Sequence, residues 1–146
     1  MDYRRLRPDE CAAAAAQHRR VGATIPGFDP ERLSFGQTCA AYRDAFARGP
    51  IWGAFDGAEL VGHMALETGW IEHLYVEPAR QGQGIGRELV GIAQRDSDVL
   101  ELWTYQANTR ARGVYEAAGF LAVEFGIDPG DPGRAPNVRY RWNRPT

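Results

Sequence analysis

The stretch Leu74-Tyr75-Val76-Glu77-Pro78-Ala79-Arg80-Gln81-Gly82-Gln83-Gly84-Ile85-Gly86-Arg87 sets three glycines at alternate positions. It sits where an apolar strand pattern gives way to a helical one. Glycines there let backbone N–H groups converge on a bound anion without interference from a Cβ. The start of the helix adds its dipole, so a pyrophosphate is the natural ligand. Arg80 and Arg87 add charge at the rim. Two well-known phosphate sites are excluded. The dinucleotide fingerprint needs a glycine where Arg87 stands, and the P-loop needs a Gly-Lys-Ser/Thr that is absent. The plain alternative is a glycine-rich turn that only joins strand to helix.

A second segment, Asn108-Thr109-Arg110-Ala111-Arg112-Gly113-Val114-Tyr115-Glu116-Ala117-Ala118-Gly119-Phe120, reads as a helix ended by Gly119. Asn108 and Tyr115 are seven positions apart, which places them on one helical face two turns from each other. On structural grounds alone they are an N-cap and a half-buried aromatic.

The spacing Gln81-x-x-Gly84-x-Gly86, after Leu-Tyr-Val-x-Pro, resembles the acetyl-CoA pyrophosphate loop of the GNAT superfamily of N-acetyltransferases. The Asn/Tyr helix is similar to that superfamily's second signature, and the two occur in its order. The close resemblance covers roughly Glu59 to Phe120. It implies a mixed α/β (α+β) fold with a central, mostly antiparallel sheet of six to seven strands and about four flanking helices. It implies acetyl-CoA as cofactor, held by Gln81, Gly82, Gln83, Gly84, Ile85, Gly86, Arg87, Asn108 and Tyr115. The strand before the loop is expected to splay from its neighbour and to pair with pantetheine through Leu74 and Val76, where one N–H polarises the thioester carbonyl. Tyr115 matches the general acid.

The implied activity is acetyl transfer to a primary amine of a small molecule or peptide. The competing reading is a non-catalytic acyl-CoA-binding regulatory domain. The resemblance also points to a base on the strand before the loop. Strict alternation puts Trp70, Glu72, Leu74 and Val76 on one face and His73 and Tyr75 on the other. The resemblance implies a base at position 70 or 72; Trp70 cannot serve, so Glu72 is the expected base, directly or through water. His63, His73 and Glu67 rank below it. On the next strand, where some relatives carry a catalytic glutamate, this chain has Trp103. Trp52, Trp70 and Trp103 read as core aromatics before they read as pocket walls. The resemblance also implies that the acceptor pocket is built from Val21 to Ala47 and from Gly126 to Val138.

The elements that must position these groups follow from pattern and punctuation. Tyr3 to Arg7 reads as an edge strand. Pro8-Asp9-Glu10 opens a helix through an alanine run, and Gly22, Pro26, Gly27 and Pro30 mark an irregular connection. Ser34 caps a second helix, which Gly49-Pro50 ends. Ile51 to Phe55 and Glu59 to Glu67 form a hairpin around Asp56-Gly57, and Gly69 turns the chain into Trp70 to Val76. Ile85, Leu89, Ile92 and Ala93 recur at helical spacing. Val99 to Trp103 is a strand, Gly119-Phe120 opens another, Pro129 to Pro136 is a loop, and Val138 to Trp142 closes the sheet. Together they read as a single domain over residues 1–146.

Composition narrows the classes further. Hydrophobic residues make up 44% of the chain, enough for a core. The net charge of −2, with no basic block, argues against nucleic acid and against an anionic membrane. No apolar run approaches a membrane span. Cys11 and Cys39 fit no metal spacing and read as buried free thiols, so a cytoplasmic setting and no metal are expected. A second copy of the chain, in a homodimer, is the other expected partner.

Overall fold

A computed structural model of the chain describes residues 1–130 and 135–146. Strand β1 (Asp2–Arg5) leads through a short turn at Pro8–Glu10 into helix α1 (Cys11–Gly22), and α2 (Phe35–Arg48) follows. Next come β2 (Ile51–Asp56), β3 (Glu59–Glu67) and β4 (Trp70–Val76), then α3 (Ile85–Arg95), β5 (Val99–Tyr105), α4 (Thr109–Ala117), β6 (Leu121–Gly126) and β7 (Asn137–Asn143). The strands form one seven-stranded sheet in the order β1-β2-β3-β4-β5-β7-β6. Every neighbouring pair is antiparallel except β4 and β5.

The helices cover both faces of this sheet. The α3 stripe of Ile85, Leu89, Val90, Ile92 and Ala93 buries itself with Met64, Ile71, Leu100 and Leu102. On the opposite face, Ala14 and Ala15 of α1 and Cys39 and Tyr42 of α2 pack on Ile51, Phe55 and Ala65. Cys11 and Cys39 are free and buried. The start of α2 is a capping box: Ser34 Oγ accepts from the Gln37 N–H at 3.1 Å, and Gln37 Oε1 accepts from the Ser34 N–H at 2.8 Å.

Two expectations change. The last strand does not close the sheet at an edge; β7 inserts between β5 and β6, because β6 hairpins onto β7 while β7 pairs with β5 along its whole length. The face pattern of β4 also breaks. Ala65 pairs with His73 and Leu66 with Ile71, which leaves Glu72 as an extra residue in a bulge. A bulge shifts a strand's two-residue period. Ile71 therefore joins Leu74 and Val76 in the cluster around α3, while Glu72 reaches Arg48 at the end of α2. The loop expected from Pro129 to Pro136 is described only in part, since residues 131–134 lie outside the described residues.

The end of α2 is pinned against this bulge. A Cβ on Gly49 would lie 2.1 Å from the carbonyl oxygen of Leu66, a backbone atom with no rotamer by which to retreat. Gly49→Ala should therefore destabilise the protein by about 1–3 kcal/mol, the usual cost of overpacking. The expected result in urea is a lower midpoint with an unchanged slope. An unaltered midpoint would show that α2 and β3 can separate freely here.

Candidate active site

The glycine-rich turn takes the form its composition demands. Gly82 and Gly84 have φ of +79° and +85°, in the left-handed region, and Gly84 is the N-cap of α3. Around Gly84 no atom lies within 4 Å of where a Cβ would stand, so the backbone faces open space. The first N–H groups of an α-helix have no partner within it, which leaves the start of α3 ready for an anion. Gln81 folds the loop back, its Nε2 donating to the Val76 carbonyl at 3.0 Å.

This turn forms one end of a groove of about 510 Å³ that runs to the start of α4. Leu74, Val76, Gln81, Arg87 and Asn108 line it, as do the turn's backbone at Gly82, Gly84 and Gly86. Ile85 also lines the groove, but it is 3% exposed and its side chain belongs to the core. Gln83 is exposed at the tip of the turn and is not part of the lining. Arg80 also lines the groove, but its guanidinium pairs with Asp56 at 2.7 Å. Arg110 is a groove residue that motif reading passed over. Its Nη1 lies 4.0 Å from the Cβ position of Gly82. A signal for it was present, because a cation in the first turn of a helix opposes the helix dipole unless an anion sits there too. The open glycine backbone, the unpaired helix start and the cations Arg87 and Arg110 together fit a pyrophosphate.

Further in, β4 and β5 part. They share a single parallel bridge, Trp70 to Glu101, with the Glu101 N–H donating to the Gly69 carbonyl at 2.9 Å. Beyond it a cleft of about 190 Å³ opens between the strands, lined by Leu74, Trp103, Asn108 and Tyr115 among others. Asn108 thus borders both groove and cleft while its Oδ1 caps α4, accepting from the Ala111 N–H at 3.2 Å. Tyr115 is 5% exposed, and burial pushes its phenol well above the usual range, so it keeps its proton at neutral pH.

The outer mouth of the cleft is charged. Glu72 pairs with Arg48 through two contacts of 3.0 and 3.2 Å. Burial pushes the Glu72 carboxyl up, but hydrogen bonds from Arg48 and Glu67 and the charge of Arg48 more than offset it, so the net shift is downward. Glu67, hydrogen-bonded to Glu72, is pushed up. Asp128, Trp70 and Trp103 complete this mouth, whereas Trp52 packs against the core. His73 lines mouth and cleft alike, and burial lowers it to about 4. His63 is sealed inside and reaches neither.

Comparison with known proteins agrees with this geometry. Residues 26–120 match the family described as the acetyltransferase (GNAT) family. A mycothiol acetyltransferase of Beutenbergia cavernae is 40% identical over 133 residues, covering 83% of this chain and 42% of the relative. A peptidyl-lysine N-acetyltransferase of Salmonella typhimurium is 36% identical over 78 residues, covering 53% and 54%. The chain spans about half the length of the curated relatives it matches. Among solved structures, yncA of Salmonella typhimurium, determined with its cofactor acetyl-CoA, superposes with a TM-score of 0.77 at 16% identity, over 100% of this chain and 95% of that one. The fold, the turn at the start of α3 and the family match converge, and this chain belongs to the GNAT acetyltransferase family.

Proposed function

We propose that the protein transfers an acetyl group from acetyl-CoA to a primary amine of a small molecule or peptide. One observation carries this reading: an anion-ready groove runs into a cleft between parted strands, and Asn108 borders both. When bound, acetyl-CoA supplies an activated thioester. The Val76 carbonyl is taken by Gln81, but the Val76 N–H and the backbone at Leu74 have no strand partner on the side of β5 and are free to hold an extended chain and to polarise a carbonyl. Tyr115 keeps a proton that it can give to the departing sulfur as the carbon–sulfur bond breaks. Glu67 and Glu72 at the mouth attract an ammonium, and Glu72 is placed to take its proton directly or through water. The narrow cleft suits an unbranched amine better than a bulky ring.

A homodimer belongs to the same reading, because the edge strand β6 exposes Leu121, Val123 and Phe125. Light scattering would test it. Two unpaired buried thiols support a cytoplasmic setting. The defining experiment incubates the protein with acetyl-CoA and a panel of lysine peptide, polyamine, amino acid and aminoglycoside, and follows free thiol. The chain has 17 arginines and no lysine, so no lysine of the protein itself can consume acetyl groups. Binding of acetyl-CoA without turnover of any amine would favour a non-catalytic acyl-CoA-binding domain instead.

Three variants separate the roles. Gly84→Asp forces a side chain and a negative charge into the left-handed turn, and acetyl-CoA affinity should collapse in calorimetry; parent-like affinity would move the cofactor elsewhere. Tyr115→Phe should lower kcat by about ten- to a thousandfold with cofactor affinity retained. An unchanged single-turnover rate would remove Tyr115 from the chemistry. Glu72 is held below its ordinary range and so stays ionised across neutral pH. As the base, its loss in Glu72→Gln should lower kcat, and less so as pH rises and free amine accumulates. As an attractor only, KM should rise with kcat near the parent's. Parity in both parameters from about pH 6 to 9 would exclude both roles.

A further inference from the structure

Between α1, α2 and the sheet runs a chain of buried polar side chains whose hydrogen bonds have only one consistent direction. It starts at the carbonyl oxygen of Leu60, which can only accept. Gln17 Nε2 donates to it at 3.0 Å, so Gln17 Oε1 faces His63. His63 Nδ1, 2.7 Å from that oxygen, must carry a hydrogen. His63 is fully buried, and burial holds it well below its usual range, so it is neutral and its Nε2 is bare. The Tyr42 hydroxyl therefore donates to His63 Nε2 at 2.7 Å. With its one proton committed, the Tyr42 oxygen accepts from His18 Nδ1 at 2.8 Å. A neutral His18 is thereby fixed as the Nδ1–H tautomer, with a lone pair on Nε2.

The surroundings of His18 keep it neutral. The Tyr75 ring lies 4.5 Å away, His73 5.1 Å and Phe28 5.8 Å, and no carboxylate is among these contacts. Burial lowers His18 to about 3, and His73, Arg32 and Arg19 add to the shift. Nε2 has no side-chain partner among the described residues. No buried polar side-chain atom among them is left without one, so Nε2 is not sealed. His18 lines the same cleft as Glu72, Leu74 and Tyr115.

We propose that His18 Nε2 faces this cleft and accepts a hydrogen bond from the attacking amine, turning the nitrogen's lone pair toward the thioester. The proposal rests on the acetyl-transfer reading and adds to it a specificity-determining residue. Because the Gln17–His63–Tyr42 chain fixes the tautomer, the site presents an acceptor at this position and never a donor. It therefore holds an incoming amine by one of its N–H bonds and disfavours an acceptor whose group at this place can only accept a hydrogen bond.

Nitrogen-15 spectroscopy of the histidines tests this directly. His18 should show a protonated Nδ1 and a bare Nε2 from about pH 5 to 8, the range in which an ordinary histidine titrates. His18→Leu should lower kcat/KM for the amine by about tenfold, the effect of one lost hydrogen bond, with acetyl-CoA affinity unchanged. His18→Gln, whose amide oxygen can accept in turn, should recover most of that loss. Tyr42→Phe removes a single oxygen and keeps the test open should His18→Leu fail to fold. It should mix the His18 tautomers and lower kcat/KM several-fold. A protonated Nε2 in the parent, or parent-like kcat/KM in His18→Leu, overturns the proposal and leaves acetyl transfer standing. An absence of turnover with every amine removes both.

Discussion

The single parallel bridge between Trp70 of β4 and Glu101 of β5 governs the rest of the molecule. β3 pairs with β4 along its length, and β7 with β5, so each strand is anchored on its outer side while the inner sides diverge. Backbone N–H and C=O groups on those inner sides lack a strand partner, and such groups need one. An extended ligand laid beside β4 meets that need as an added strand would. The opening is kept from collapsing by what flanks it: α3 on one face, and Tyr115 of α4 packed on Phe120 and Tyr140. A sheet paired continuously through β4 and β5 would have neither the groove nor the cleft.

Charge is distributed along this opening in a way that net charge conceals. The chain is close to neutral at −2. Yet Arg87 and Arg110 stand with the helix start at one end, where a pyrophosphate fits, and Glu67, Glu72 and Asp128 stand at the other. Arg48 tempers the acidic end by holding Glu72 ionised and in place. That pair exists because Gly49 lets the end of α2 lie against the Leu66 carbonyl and because the bulge turns Glu72 toward it. A loss of local regularity, one extra residue in β4, thus joins two elements that the sheet alone would keep apart.

Much of this was legible in the residues. The hairpin at Asp56-Gly57, the cap at Ser34, the α3 stripe and the turns at Gly69, Gly84 and Gly119 are local events. They are set by positive φ, by side-chain capping and by helical or two-residue periods, all of which operate over a few neighbours. The anion-ready turn at Gly82–Gly86 and the shared face of Asn108 and Tyr115 belong to the same class, because a helix of known phase places its own residues. The order of β6 and β7, the face of Glu72, the pairing of Arg80 with Asp56 and the approach of Arg110 to Gly82 do not. Each depends on contacts between segments distant in sequence, where competing partners are equally compatible with the local pattern. The chain from Leu60 through Gln17, His63 and Tyr42 to His18 is the extreme case. Sequence alone determined that a glycine-rich turn in the left-handed region would open α3. Only packing three elements together could decide which nitrogen of His18 keeps its lone pair, because a tautomer is set by the hydrogen bonds around the ring and not by the residue's own neighbours in the chain.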